Sequence, residues 1–451
     1  MTRARSLRAL FGLEWGELAA SRSFWLFLLA IGPLVGQAFL HAASLYAEAS
    51  GGAGGPAALA QGLSPLDGIF VPAFGAYDLA VTLLYPFVAI RLVAEEKTNG
   101  AGKLLLQSPA SIAGRLGVKL GALVVCYLLA WLAGLLALLL WKGAGGHVSA
   151  PELATLLLGH FLRFLLATAV ALAAAAVCDG AASAAIVTLA FTLGTWALDF
   201  LAAGRGGWLE RAARYTPTAG LRVFEHGELS LATAAVFLAA SAGAIVFAGV
   251  WLTSYRPVAA RAARAAAVVV LTAGAMAAAA TLNPSWDFSE DRRNSFSRAD
   301  EAALRRVREP VTVTVNLAPE DPRLFDLERG VLTKLRRVVP RLTVRSVART
   351  RSGLFEQGGE YGEVWYQVGS RRAMVRSTIE AVVLERLYTL AGIPAPPRGE
   401  ERAYPGYPLA ARLPSAANLF FGAWPLAVGL AYVGTRSHWR KKWKDIASQP
   451  A

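Results

Sequence analysis

The feature that most constrains this chain is a series of apolar runs, each about 20 residues long. A helix of that length matches the hydrocarbon thickness of a bilayer. Hydrophobic residues make up 55% of the 451 residues and charged residues only 17%, against roughly 25% charged in soluble domains. We therefore predict a polytopic membrane protein. The candidate spans are 24–44, 70–92, 116–140, 153–177, 181–203, 231–254, 265–282 and 416–434.

Residues 1–23 precede the first span and are predicted to form an amphipathic helix in the membrane interface. Arg8, Glu14 and Glu17 are predicted to lie off its apolar face. Apolar side chains recur on that face at helical spacing: Leu7, Leu10, Phe11, Trp15 and Leu18.

Lysine and arginine residues flank the apolar runs and indicate how the chain is oriented. The formal net charge is +14, but the basic residues do not form one patch with interleaved aromatics, so no nucleic-acid partner is predicted. Short loops rich in lysine and arginine stay in the cytoplasm, which places both termini there, including the basic tail 435–451. Segment 204–230 is the exception, because it carries four arginines on the outer side and is predicted to fold back into the outer membrane face. We expect a location in the bacterial inner membrane.

A polar stretch, 283–414, lies between the last two spans and is long enough for a small core of its own. Its predicted strands are 311–318, 341–348, 363–369 and 372–377, with helices at 322–338 and 378–391. It follows an odd number of spans and is therefore placed in the periplasm. The predicted fold class is an all-α polytopic membrane domain with a small extracytoplasmic α/β domain.

Motifs that carry enzyme chemistry are missing from the sequence. A phosphate-binding loop needs G-x-x-x-x-G-K-[ST], and the nearest approach, at 97–104, lacks the first glycine and the final hydroxyl residue. The two cysteines, Cys126 and Cys178, and the five histidines show no disulfide or metal-ligand spacing. We predict that the chain is not an enzyme and that it carries no cofactor or metal of its own.

The loop after the second span contains an acidic pair, a glycine, a leucine pair and a proline: Glu95, Glu96, Gly100, Leu104, Leu105 and Pro109. This pattern resembles the cytoplasmic loop of ABC-2-type transporter permeases. The resemblance implies a six-span core at 24–254, a coupling helix within 93–115 and a separate ATPase subunit that binds ATP and magnesium. It also implies an exporter built from a homodimer or pseudo-dimer of permeases. The sequence departs from the family at Ala101 and Lys103, where a threonine and a glutamate are common.

A second resemblance covers the start of the outer domain. The stretch 286–297, WDFSEDRRNSFS, precedes Glu309-Pro310-Val311 and a predicted strand. This order is similar to the auxiliary, substrate-binding-like subunit of gliding-motility-type ABC transporters. It implies that part of that subunit is fused behind the permease. The resemblance leaves open a further partner, a separate periplasmic auxiliary protein.

Two ionisable residues lie at about the same depth inside predicted spans, Asp78 in the second and Arg163 in the fourth. A charge in the bilayer is costly and usually faces a partner inside the protein. We therefore predict an ion pair between Asp78 and Arg163, with His160 as a third member, in a structural role or in a substrate path.

Two functions other than ATP-driven transport stay open from the sequence. The chain could be a membrane scaffold whose outer domain recruits envelope proteins without transport. It could also be a secondary transporter driven by an ion gradient, for which inverted repeats would be the expected sign.

Overall fold

The computed structural model describes residues 3–51, 62–100, 111–202, 209, 213, 215–253, 256–318, 321–347, 361–397, 404, 406–411 and 413–447. Eight helices in these ranges are long and apolar enough to cross a membrane, and each corresponds to one predicted run. We number them as the first to eighth spans: Arg22–Ala49, Leu66–Thr98, Ile112–Gly143, Ala150–Val177, Ala181–Asp199, Leu231–Trp251, Val258–Ala279 and Pro414–Ser437. The fold is therefore polytopic and mostly helical.

Most of the spans extend beyond the predicted apolar runs because their polar ends are also helical. The first span begins after Ser21, whose hydroxyl accepts a hydrogen bond from the Phe24 amide at 3.2 Å and so caps the helix. The helix Arg3–Ala20 precedes this cap and matches the helix predicted at the N-terminus.

The core of the bundle joins the second, third and fourth spans through buried tyrosines. Tyr77 donates a hydrogen bond to the Ala130 carbonyl at 3.0 Å and accepts one from the Gly134 amide at 2.6 Å. Tyr85 donates to the Leu123 carbonyl at 2.6 Å. Because each hydroxyl finds a backbone partner, these side chains fill the core without leaving a polar group unpaired.

The second span is interrupted at Leu84, next to a proline. Pro86 has no amide hydrogen, so it cannot bond to the carbonyl of Thr82 one turn earlier. The Thr192 hydroxyl of the fifth span donates to that carbonyl instead, at 3.4 Å. A side chain of a neighbouring span thus satisfies the backbone group that the proline leaves free.

Small residues in the first span allow the eighth span to pack closely. A side-chain carbon built on Gly32 would lie 2.2 Å from the Trp424 ring, and one built on Gly36 would lie 2.4 Å from Phe420. The Trp424 indole also donates a hydrogen bond to the Leu28 carbonyl at 2.8 Å. The pair of glycines therefore fixes where the eighth span docks.

Substituting Gly36→Ala is expected to destabilise the protein by about 1–3 kcal/mol, because the added methyl overlaps Phe420 and forces the two helices apart. Gly429→Ala in the eighth span is the matched control, since no atom lies within 4 Å of its added carbon. The apparent melting temperature of each variant in detergent measures the difference. Equal melting temperatures for the two variants would show that this close contact does not exist.

The polar stretch between the last two spans forms a four-stranded sheet with helices on one face. Its strands are numbered β3 to β6, because two short strands described below precede them in the chain. They are Val311–Val315, Leu342–Ser346, Val364–Val368 and Arg371–Val375. In the sheet they lie in the order β4-β3-β5-β6. Strand β4 is parallel to β3, while β5 is antiparallel to both β3 and β6. The domain is completed by five helical segments: Arg298–Leu304, Pro322–Leu327, Glu328–Leu332, Thr333–Val338 and Glu380–Ala391. All four predicted strands and both predicted helices are present.

A short two-stranded ribbon joins the domain to the bundle and has no counterpart in the sequence predictions. Strand β1, Glu228–Ser230, precedes the sixth span, and β2, Ser285–Asp287, follows the seventh. They pair antiparallel, with Leu229 opposite Trp286. We call this side of the bundle the domain end and the side that carries Asn99 and Ser111 the loop end.

Candidate functional site

A buried lysine at the loop end connects three separate helices. Lys119 lies two turns into the third span with only 4% of its side chain exposed. Its ammonium group is 2.6 Å from Oε1 of Glu14, 2.6 Å from Oε1 of Glu96 and 2.9 Å from the Leu92 carbonyl. These three acceptors match the three hydrogens of the ammonium group. We call Glu14, Glu96 and Lys119 the clasp, because they join the N-terminal helix to the second and third spans.

The position of Glu14 differs from the prediction, which placed it off the apolar face of the N-terminal helix. Glu14 is buried. It shares a helical stripe with Leu7, Phe11 and Leu18, because residues three and four apart lie on one face. That face packs on the third span, where Leu7 and Phe11 lie against Gly114 and Gly121. Charge alone suggested a solvent-facing position, but the spacing and the buried lysine place the carboxylate inside.

Burial raises the pKa of Glu14 to about 7, although the nearby Lys119 ammonium opposes the shift. Two carboxylates around one ammonium carry a net charge of −1, so a proton on Glu14 makes the buried group neutral. The folded protein therefore binds this proton more tightly than the unfolded chain, whose glutamate pKa is about 4.5. The free energy of unfolding should fall as the pH rises from about 4.5 to about 7.

The Glu14→Gln variant is expected to lose much of this pH dependence, because glutamine carries no proton to release. Melting temperatures in detergent at intervals between pH 5 and pH 8 would measure it, with a decline of a few degrees expected for the wild-type protein. Glu48→Gln, at an exposed glutamate near the other end of the bundle, should keep the full slope. A Glu14→Gln slope equal to that of the wild type would contradict the assignment.

Lys97 makes a second connection at the loop end. Its ammonium donates to the Ala176 carbonyl at 2.6 Å and to the Cys178 carbonyl at 2.8 Å. These carbonyls lie at the C-terminus of the fourth span, where backbone oxygens lack helical partners and a positive charge is favourable. The clasp and Lys97 thus tie the end of the second span to the N-terminal helix and to the third and fourth spans.

Three of the six predicted coupling residues, Glu95, Glu96 and Gly100, lie in the part of the chain that the structure describes. The carboxylate of Glu95 is 44% exposed and contacts Arg91 at 2.6 Å, whereas Glu96 is 18% exposed and belongs to the clasp. Gly100 ends this segment with φ +69, a conformation that favours glycine. Leu104, Leu105 and Pro109 lie outside the described residues, as do the departures at 101 and 103. Glu95 is therefore the member of the acidic pair that is left accessible.

The predicted contact between Asp78 and Arg163 is present in the middle of the bundle. Nε of Arg163 lies 3.1 Å from Oδ1 of Asp78, and the Arg163 side chain is 1% exposed. Nη2 of the same guanidinium donates to the Thr82 hydroxyl at 3.3 Å. The two opposite charges offset each other inside the bundle, where the Asp78 side chain is 21% exposed.

His160 does not join that pair within the described part of the chain. Its Nε2 atom lies 3.5 Å from Oε1 of Glu225, which is the last residue of the short helix Pro217–Glu225. The ring of His160 is otherwise buried beside Phe74, with ring centroids 5.5 Å apart. The sequence missed Glu225 as a partner because the segment 204–230 indicated only a fold-back at the membrane face.

At the domain end, the stretch 286–297 forms a turn that closes on itself. Asp287 accepts hydrogen bonds from the amides of Ser289 and Asn294, at 3.0 and 3.2 Å. The Asn294 side chain donates to the His226 carbonyl at 2.8 Å, and the Phe288 amide donates to the Gly227 carbonyl at 2.9 Å. This motif therefore docks on the residues that precede β1.

The same stretch also contacts the spans directly. Arg293 contacts Asp67, at the start of the second span, and donates to the hydroxyl of Ser64, just before that span, at 3.0 Å. The Glu290 amide donates to Oε1 of Glu152 in the fourth span at 2.8 Å. The motif that resembles an auxiliary subunit is thus a structural joint between the α/β domain and the bundle.

No family model, curated protein or solved structure matches the chain. Among the described residues, no group of three or more histidine, cysteine, aspartate or glutamate side chains is arranged to hold a metal ion. The candidate functional features of the chain are therefore the clasp, the intramembrane ion pair and the joint at the domain end.

Proposed function

We propose that the chain is the membrane-spanning permease subunit of an ATP-driven transporter of the ABC-2 type. A separate ATPase subunit, which binds ATP and magnesium, docks on the loop within 93–115. The permease works as a homodimer or pseudo-dimer, in the bacterial inner membrane, with both termini in the cytoplasm and residues 283–414 in the periplasm. The observation that carries this proposal is the clasp.

The clasp supports the proposal because a permease without its own motor needs a rigid connection to one. A force applied beside Glu95 reaches the N-terminal helix and the third span through Lys119, since the contacts are short and buried. Lys97 extends the connection to the fourth span. Packed helices with such contacts move together rather than deform, so the loop can displace several spans at once.

Docking is tested by charge reversal at the acidic pair, one residue at a time. Glu95→Lys is expected to reduce recovery of the co-expressed ATPase subunit at least tenfold, since the Glu95 carboxylate is 44% exposed and its second oxygen can reach a partner beside Arg91. The matched control, Glu48→Lys, changes an exposed glutamate near the domain end and should leave recovery unchanged. Glu96→Lys is informative only together with a stability measurement, because it also breaks the clasp. Unchanged recovery with Glu95→Lys would refute the docking site.

An ion-coupled secondary transporter is the second candidate, favoured by the buried ionisable groups in the bundle. Two contacts, Asp78 with Arg163 and His160 with Glu225, place four titratable side chains among the second span, the fourth span and the short helix. Transport into proteoliposomes driven by a pH gradient without nucleotide would support this candidate. Transport that requires ATP and the partner subunit would support the first.

A further inference from the structure

A long apolar groove runs along the fifth, sixth and seventh spans and has no role in the proposed coupling. Its volume is about 790 Å³, within the range of roughly 300–1,000 Å³ that is typical of small-molecule sites. It follows the sixth span from Ala232 to Phe247, a length of about 22 Å at 1.5 Å per residue. Small residues that include Gly220, Ala240 and Ala244 leave room between the larger side chains.

Four threonine hydroxyls of the lining already donate hydrogen bonds within the protein. Thr195 donates to the Phe191 carbonyl at 2.9 Å, and Thr272 donates to the Val268 carbonyl at 2.7 Å. Thr216 and Thr233 are likewise hydrogen-bonded to neighbouring residues of the chain. Because these hydroxyls have no hydrogen left to donate and the rest of the lining is almost entirely apolar, the groove favours a hydrocarbon chain over a sugar or a peptide.

The groove opens to the hydrocarbon region of the bilayer. Only a small share of the most apolar 18-residue stretch of each span is buried inside the protein: 22% in the fifth span, 17% in the sixth and 6% in the seventh. Its occupant therefore enters sideways from the membrane.

We propose that this groove binds one acyl chain of a glycerophospholipid, with the headgroup at the domain end. The groove length covers about three quarters of a hydrocarbon core of about 30 Å, which suits a single extended chain. Arg222 lies at the domain end on the short helix that supplies Gly220 and Val223 to the lining. One guanidinium nitrogen contacts Asp199, but the side chain is 55% exposed, which leaves its other N–H groups accessible to a phosphate. This proposal does not depend on the transport function.

The methionines of the chain provide the test, because only three are present and Met276 lines the groove. The full chain is produced with photo-methionine, purified in detergent to remove bulk lipid and irradiated. We expect one adduct with the mass of an intact phospholipid at position 276. Met374, in strand β6 of the α/β domain, is the internal control and should carry no lipid.

A groove-filling variant makes the test specific. Ala240→Phe with Ala244→Phe should lower the adduct yield at position 276 at least fivefold. Ala242→Phe with Val246→Phe changes the exposed side of the same span and should leave the yield unchanged. The milder Ala273→Leu serves if the double variant does not fold, and it should lower the yield in the same direction. Equal yields in filled and control variants, absence of a lipid adduct, or a cross-link between two copies at position 276 would each overturn the proposal.

Discussion

Lys119→Ala is expected to destabilise the protein by about 3–5 kcal/mol, the range measured when one member of a buried ion pair is removed. The substitution leaves the Glu14 and Glu96 carboxylates next to each other without their shared cation. The apparent melting temperature in detergent, or the midpoint of chemical denaturation, measures the loss. Lys142→Ala is the matched control, because Lys142 lies at the exposed far end of the same span.

Neutralising the whole clasp separates its effect on stability from its effect on coupling. A variant with Lys119→Met, Glu14→Gln and Glu96→Gln removes every charge at once, so it should recover most of the lost stability. If the clasp transmits movement from the loop, this folded variant should still show reduced stimulation of the partner ATPase. A triple variant with wild-type coupling would mean that the clasp serves stability alone.

Arg163→Leu is expected to have an effect of similar size, about 3–5 kcal/mol, because it leaves the Asp78 carboxylate unpaired in the middle of the bundle. Membrane yield and melting temperature should both fall. Arg264→Leu is the control, since Arg264 is an exposed arginine of the seventh span. A normal melting temperature for Arg163→Leu would show that Asp78 has another partner.

The neutral double variant Asp78→Leu with Arg163→Met distinguishes a structural pair from a substrate path. If the two charges only offset each other, the double variant should fold and transport normally. If they line a path, the double variant should fold but lose transport. Both outcomes are measured in the same proteoliposomes, so a folding defect cannot be confused with a functional one.

The eight spans were predictable because each is a continuous apolar run, and the sheet was predictable because its strands alternate. Val311–Val315, for example, buries every second side chain. The Asp78–Arg163 contact was predictable because charges inside a membrane need partners. The first two signals are local in the sequence, and the third follows from the high free-energy cost of an unpaired charge inside a membrane.

The clasp and the ribbon were not predictable because their members are distant in sequence and individually ordinary. Lys119 lies inside an apolar run near a basic flank, where a single lysine indicates a membrane boundary, and Glu14 is 105 positions away. Strands β1 and β2 contain three residues each and are separated by two spans. Only the packed bundle brings these residues together.

A photo-reactive residue at position 95 tests the central claim most directly, because that claim places the exposed glutamate against a separate ATPase. The same residue at position 48, near the domain end, is the control. Irradiation of living cells should cross-link position 95, and not position 48, to the ATP-binding subunit. Cross-linking from position 48 but not from position 95, or labelling of position 95 by a membrane-impermeant reagent added outside the cell, would contradict the account.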